Sequence, residues 1–387
     1  MPIKVGIDAL FIRPGGIGGT ESYLRNLLKG LERVDKENEY YIFASKTNYD
    51  TFRFVNKHFK VIICDVDNRN KLHRIIYTST KLPKLIKNYK ISVMFFPTYV
   101  RCISNIRRTK IVSNVHDIQY MHFPKNFNLS KRILFKLVYP LSLKKSDKNI
   151  CISNFVKQDI MSHFNSINKD NFEVIYNPID FEKFNIKSDI FFENVSSRYG
   201  IETKNYMLSV ASLLPHKNIS TLIRAFSIYK SKNKNHIKLV LVGLKESSSN
   251  ELLNLISKLN IERDVIITGF VSDDELNLLY NNASIFICTS LFEGFGMPPI
   301  EAMYRNIPVL TTRCASLPEV TMGETIYYDN PTDENELARA VENTLNSNVC
   351  YSDDIRQRLV EKYSLENIAL KYKLMFEGIM NKKTEIK

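Results

Sequence analysis

Two glutamates, Glu293 and Glu301, stand eight residues apart in FEGFGMPPIEAM, with two glycines, a methionine and two prolines between them. Three kinds of chemistry need such a pair: acid/base catalysis, metal ligation, or binding of a ligand's hydroxyls. Pro298 and Pro299 suit the first turn of a helix, where their missing N–H groups have no intrahelical partner to lose. Glu301 is then expected in that first turn and Glu293 in the loop before it. The backbone from Gly294 to Met297 leads into the positive helix end, a natural seat for a diphosphate. Carboxylates flanking an anion are poor charge partners for it, so hydrogen bonding to neutral hydroxyls suits them better. The plainer alternatives are that Glu301 complements the helix dipole and Glu293 is solvated.

Lys217, in ASLLPHKNISTLIRAF, falls at another strand-to-helix junction. A lysine at a helix N-terminus is electrostatically misplaced unless an anion sits there. A phosphate contact is the sharper reading and a solvated loop lysine the blander one. His216 stands beside it and adds a second cation only if protonated; the unperturbed imidazole pKa is about 6.5. A third junction, PGGIGGTESY, carries Gly18 and Gly19, where the backbone can approach a ligand and helix N–H groups can meet an anion. A tight strand-to-helix turn explains the same glycines without a ligand. The loop does not fit GxGxxG in register, and no acid clearly ends the second strand, which disfavours a nicotinamide dehydrogenase. The Asp-x-Asp at 65–67 reads as a strand terminus rather than a metal site.

These residues are positioned by short apolar, β-rich runs that alternate with helical stretches. Strands are expected at 3–10, 40–45, 60–66, 91–97, 110–116, 149–153 and 172–178. The series restarts at 206–212, 238–243, 264–270, 284–290, 308–312 and 325–329. Helices are expected at 219–231, 250–259, 273–281 and 299–305, with a last one near 365–382. Alternating β and α predicts parallel sheets covered by helices, and two series predict two doubly wound α/β domains. The expected division is 1–190, 191–365, and a C-terminal helix in 366–387 that crosses back to the first domain. The break is sought in 181–205, where no periodic pattern holds.

Glu293 and Glu301 form an E-x7-E motif within SLFEGFGMPPIEAM. With PHKN (215–218), SLPEV (316–320), VHD (115–117) and GGIGGTESYLRNLL (15–28), the chain resembles the retaining GT-B glycosyltransferases of family 4, nearly end to end and in the family's order. LLPHKN is most similar to the mannosyltransferase branch. The resemblance implies two Rossmann-like domains facing across a cleft, with the acceptor on the N-terminal one and a nucleotide sugar on the C-terminal one. It implies that Glu301 holds the donor ribose, that Glu293 contacts the transferred sugar, and that Lys217 neutralises the diphosphate. The amides around Phe295, Gly296 and Met297 would bind sugar or phosphate, with Gly18 and Gly19 reaching the same diphosphate. His116 would sit at the reaction centre, with Asp117 and Ser153 on the acceptor side. No metal and no other cofactor is expected. The chain departs from the pattern at Ala211, where many members carry arginine, and at Asn306, where they carry glycine; Asn tolerates the left-handed cap conformation.

Composition bounds the remaining possibilities. With 44% hydrophobic and 25% charged residues, the chain reads as globular rather than disordered. The opening run MPIKVGIDAL reads as a first strand and leaves no room for a signal peptide. The scattered cysteines lack a CxxC, which argues for reduced thiols and against a cysteine zinc site. Residues 1–190 carry 32 Lys+Arg against 17 Asp+Glu, while the remainder carries 22 against 24. The first half therefore faces something anionic, unless the excess is only surface decoration. The segment 126–145 mixes leucines, aromatics and lysines, although Pro140 is expected to interrupt it. A cytoplasmic protein attached peripherally to an anionic membrane, with a lipid-linked or glycan acceptor, fits that asymmetry. No nucleic-acid-binding signature accompanies the charge.

Overall fold

The computed structural model describes residues 2–13, 18–98, 106, 108–165, 167–184, 191–233, 235–244, 250–347 and 349–381. Contacts divide the chain into two compact units, Met1–Ile179 with Lys362–Lys387, and Asp180–Glu361. The division falls at Ile179, earlier than residue 190. Within the stretch the sequence leaves without a pattern, Phe192–Tyr199 forms a helix of the second unit, closed by Gly200 in the left-handed conformation.

The first unit holds seven parallel strands among the described residues: β1 (Lys4–Asp8), β2 (Glu39–Ser45), β3 (Phe59–Cys64), β4 (Val93–Phe96), β5 (Lys110–Val115), β6 (Lys148–Cys151) and β7 (Phe172–Val174). Their order is β3-β2-β1-β4-β5-β6-β7, so the winding direction reverses between β1 and β4. All four residues of β4, VMFF, are buried, as expected of a central strand covered on both faces. The second unit holds β8 (Tyr206–Val210), β9 (Lys238–Val242), β10 (Val265–Gly269), β11 (Ile285–Cys288), β12 (Val309–Thr312) and β13 (Ile326–Tyr328) in the order β10-β9-β8-β11-β12-β13. Here the reversal lies between β8 and β11. In open α/β sheets, ligands bind outside the carboxyl ends of the strands at such reversals.

The helix Leu365–Asn381 packs in the first unit against the helix Gly19–Val34. Tyr372 and Phe376 enter the core with Tyr23, Leu27 and Leu31. Gly30 permits the close approach. A Cβ there would fall on the Leu365 carbonyl oxygen and 2.9 Å from the Ala369 Cβ. The chain beyond Cys64 carries Asp65 and Asp67 into solvent, paired at 2.6 Å with Lys46 and Arg69 respectively.

Gly30→Ala is expected to destabilise the protein by about 1–3 kcal/mol through overpacking, against the gain of about 1 kcal/mol that alanine ordinarily brings to a helix interior. Urea unfolding monitored by circular dichroism checks the sign; a stabilised variant would mean that the two helices separate at little cost.

Candidate functional site

At the strand reversal of the second unit, two loops leave β8 and β11 and meet. The first passes through the 3-10 turn Pro215–Lys217 into the helix Ile219–Lys232, with Asn218 in the left-handed conformation between them. The second runs from Thr289 to Gly296 into the helix Met297–Tyr304. Backbone stitches hold them together. The Leu291 amide donates to the His216 carbonyl at 2.7 Å, and the Thr289 hydroxyl donates to the Lys217 carbonyl at 2.9 Å.

The stitched loops bring Lys217 and Glu293 into contact. The Lys217 Nζ donates to Glu293 Oε1 at 2.5 Å, with side chains 21% and 15% exposed. The Ser290 hydroxyl donates to the same oxygen at 2.7 Å. Among the described residues Oε2 accepts no hydrogen bond. From the loop after β12, the Ser316 hydroxyl lies 2.8 Å from the Glu293 carbonyl oxygen and 2.9 Å from that of Phe295. Gly296 turns the chain at φ +92°, and a Cβ there would lie 2.8 Å from Leu317 Cδ2.

The helix starts at Met297, one residue before Pro298, so Glu301 is its fifth residue and lies beyond the first turn. This corrects the expectation that Glu301 lies in the first turn. Glu301 is half-buried, and burial raises its pKa against the opposing pull of the Arg305 charge and the nearby Tyr280 phenol. Arg305 stacks over Tyr280, 4.6 Å from the ring centre. Pro298 and Pro299 leave Met297 and Ile300 as the only N–H donors among the first four helical residues. The helix ends in a Schellman cap at Asn306, φ +58°, with the Ile307 amide donating to Ala302 and the Asn306 amide to Met303.

His216 cannot supply the second cation at neutral pH. It is buried, and desolvation first, then the Lys217 charge, lower its pKa to about 4.

In the first unit, β1, β4 and β5 end around a cavity of ≈ 400 Å³ whose lining includes Asp8, Arg13, Arg74, Thr98, His116 and Asp117. The His116 Nε2 lies 2.9 Å from the Pro97 carbonyl oxygen, so Nε2 carries the proton and Nδ1 is the acceptor. Burial lowers the His116 pKa to about 4. The Asp117 carboxylate accepts from the Gln119 amide at 3.0 Å, and its carbonyl accepts from the Tyr139 hydroxyl at 2.5 Å. Ser153 is buried as the N-cap of the helix Asn154–His163, accepting from the Val156 amide at 3.1 Å, and does not line this cavity. Gly18 is the extended N-cap of the helix Gly19–Val34, and a Cβ there would meet nothing within 4 Å. Internal packing therefore does not require that glycine. Pro14 to Ile17 of the same loop lie outside the described residues.

Sequence reasoning missed Asp8, Ser290 and the Tyr280–Arg305 pair. Asp8 left a readable trace, a lone acid closing the apolar strand IKVGIDAL. Its carboxylate accepts from the Leu10 amide at 2.9 Å, and burial pushes its pKa up to about 6.

Residues 191–364 match the family Glycosyl transferases group 1, and residues 17–183 match Glycosyltransferase Family 4. The O-antigen chain mannosyltransferase RfbU of Salmonella typhimurium is 29% identical over 229 residues. That match covers 59% of each chain, less than two thirds of the relative's length. A Campylobacter jejuni protein is 29% identical over 80% of each chain. It is named N-acetylgalactosamine-N,N'-diacetylbacillosaminyl-diphospho-undecaprenol 4-alpha-N-acetylgalactosaminyltransferase. In fold, the chain is similar to Anabaena HepE, solved in complex with UDP-glucose. The TM-score is 0.75 at 17% identity, covering 97% of this chain and 100% of that one.

Both His116 and His216 bind a proton more weakly in the fold than in the unfolded chain, whose imidazoles titrate near 6.5. Stability is therefore expected to fall as the pH drops from about 6.5 towards about 4, because the unfolded state takes up protons that the fold refuses. Urea midpoints across that range should decline less steeply in His216→Gln than in the parent; equal slopes would mean that His216 is already solvated.

Proposed function

Because this chain belongs to glycosyltransferase family 4, we propose that it transfers a hexose from a nucleotide-diphosphate sugar to a glycan or lipid-linked saccharide, with retention of anomeric configuration, during surface polysaccharide assembly. The observation that carries the reading is the Lys217–Glu293 pair at the strand reversal, beside the positive end of the helix Met297–Tyr304.

On this reading, the donor's diphosphate replaces Glu293 as the partner of Lys217. Departure of the nucleoside diphosphate builds negative charge on the β-phosphate. Lys217, the Gly296 and Met297 amides and the helix end stabilise that charge, so no metal is needed for the step. Glu293, released from Lys217, accepts hydroxyls of the sugar, its Oε2 first. Glu301 accepts the ribose hydroxyls. Gly18 and Gly19, at the N-terminus of the helix Gly19–Val34 in the first unit, are the candidates there for contact with an anion. The acceptor binds at the cavity of His116 and Asp117. With a pKa of about 4, His116 is neutral and too weak to be a useful general base. The departing phosphate oxygen takes the acceptor proton in a front-side attack.

The RfbU relative, named a mannosyltransferase, favours mannose, carried in this proposal by GDP-mannose. The Campylobacter relative, named an N-acetylgalactosaminyltransferase, favours a different sugar, for which a UDP-sugar is the alternative donor in this proposal. Thermal melts with GDP and UDP, each in excess EDTA, discriminate between them. The matching nucleotide at about 100 times its Kd adds about 2.7 kcal/mol. Glu301→Ala should abolish that shift, and Lys217→Ala should lower kcat/KM by about 100- to 1,000-fold. No shift from either nucleotide would sink the donor assignment.

A membrane-surface site belongs to the same proposal. The helix Leu129–Lys145 runs through Pro140 without a break, correcting the expected interruption. The proline leaves the Lys136 carbonyl without its helical donor, at a residue exposed to water. Leu129, Ile133, Leu137 and Leu141 recur every fourth residue and are exposed, and Lys136, Lys144 and Lys145 are exposed beside them. Such a helix suits the interface of an anionic bilayer. No helix among the described residues is long and apolar enough to cross a membrane. Ile133→Ser with Leu137→Ser should abolish co-sedimentation with anionic liposomes at low salt while leaving nucleotide binding intact; unchanged co-sedimentation would move the contact elsewhere.

A further inference from the structure

A second cluster of chemically competent side chains lies in the first unit, away from the residues given roles above. Asp159 and His163 are one helical turn apart on the helix Asn154–His163, and so share a face. His122 ends the short helix Gln119–His122 and turns its ring to the same carboxylate. The His122 Nε2 lies 2.9 Å from Asp159 Oδ1 and 2.8 Å from Oδ2. The His163 Nδ1 lies 3.2 Å from Oδ1. One ligating atom from each residue falls within a sphere of contacts no wider than 4.8 Å. The Asp159 side chain is only 7% exposed, whereas both imidazoles reach solvent.

We propose that His122, Asp159 and His163 form a binding site for zinc. Two imidazoles and a carboxylate are the donor set of that metal rather than of the oxygen-seeking Mg²⁺ or Ca²⁺. Zinc bonds to such ligands are about 2.0–2.2 Å long, which sets tetrahedral neighbours about 3.3–3.6 Å apart. The two carboxylate–imidazole spacings need to open only slightly to reach that value, and the two imidazole nitrogens need to close by no more than about 1.5 Å. Binding requires the coordinating nitrogen of each ring to be free of its proton, with the other ring nitrogen left to carry one. For His163 this exchanges the contact of Nδ1 with the Asp159 carbonyl, now 2.9 Å, for a metal bond. The fourth position opens to solvent and takes a water.

The consequence is positional. The helix Gln119–His122 follows directly on His116 and Asp117, and the helix Asn154–His163 starts from its cap Ser153. A metal between His122 and the Asp159–His163 pair therefore fastens together two segments behind the β5 and β6 strand ends. It touches none of the residues lining the His116 cavity, so it is a positioning site. The inference rests on this geometry alone and does not depend on the transfer reaction.

The test uses the full chain, stripped with chelator, desalted and titrated with ZnCl₂ in a calorimeter. One equivalent should bind, and His122→Ala or His163→Ala should weaken that binding by at least about 10- to 100-fold, the range seen even for residues that only support a ligand. Zinc should also slow amide exchange in Gln119–His122 and Asn154–His163. Both histidines are partly exposed, so these variants keep the test valid if Asp159→Asn fails to fold. No stoichiometric binding, binding unchanged in both histidine variants, or protection confined to the cysteine-bearing strands would overturn the proposal.

Discussion

The second unit is organised around one half-buried ion pair. Taking Lys217 and Glu293 partly out of water is costly for each alone, and removing either would leave the other uncompensated. The pair can exist only because the β8 and β11 loops are held to each other by their backbones. Thr289, Ser290 and Ser316 supply hydroxyls to that seam. Thr289 bonds the Lys217 carbonyl, Ser290 the Glu293 carboxylate and Ser316 the Glu293 carbonyl, so each ties one stretch of the two loops to another. The strand reversal brings the two loops together, the hydroxyls bind them, and the two charges meet where they join.

The same construction recurs in the first unit with different chemistry. Its reversal lies between β1 and β4, and the residues ending β1, β4 and β5 supply Asp8, Thr98, His116 and Asp117. Here burial outweighs pairing. It drives the His116 pKa down and the Asp8 pKa up, so each is pushed towards its neutral form. One sheet therefore presents a charged pair, while the other presents a buried acid and a buried imidazole, each pushed towards neutrality, beside Arg13 and Arg74.

The strands were legible because parallel sheets need near-continuous apolar runs, and each run from IKVGIDAL to TIYYD contains one. Ends were less legible: the helix at Met297 begins before its prolines, because an N1 residue need not be the proline itself. The helix Phe192–Tyr199 escaped notice since only Val195 is fully buried and no apolar stripe marks it. Individual site residues could be read from motifs, but their pairing could not. Lys217 and Glu293 are 76 residues apart, and His122 and Asp159 are 37 apart. Only the fold decides that the former meet, and only burial decides that His216 stays neutral.

That neutrality sharpens how a donor would be chosen on the proposed reading. With His216 uncharged, Ala211 in place of the family arginine and two prolines removing helix amides, positive field at this crevice comes chiefly from Lys217 and the end of one short helix. Glu293 already satisfies Lys217. A neutral sugar gains nothing by entering, because it cannot repay the loss of that bond. A diphosphate can, since it replaces one anionic partner by another and leaves Glu293 free for hydroxyls. Recognition of phosphate and of sugar are then a single exchange. Neither half is favourable without the other, which is how one lysine can serve here without a second cation beside it.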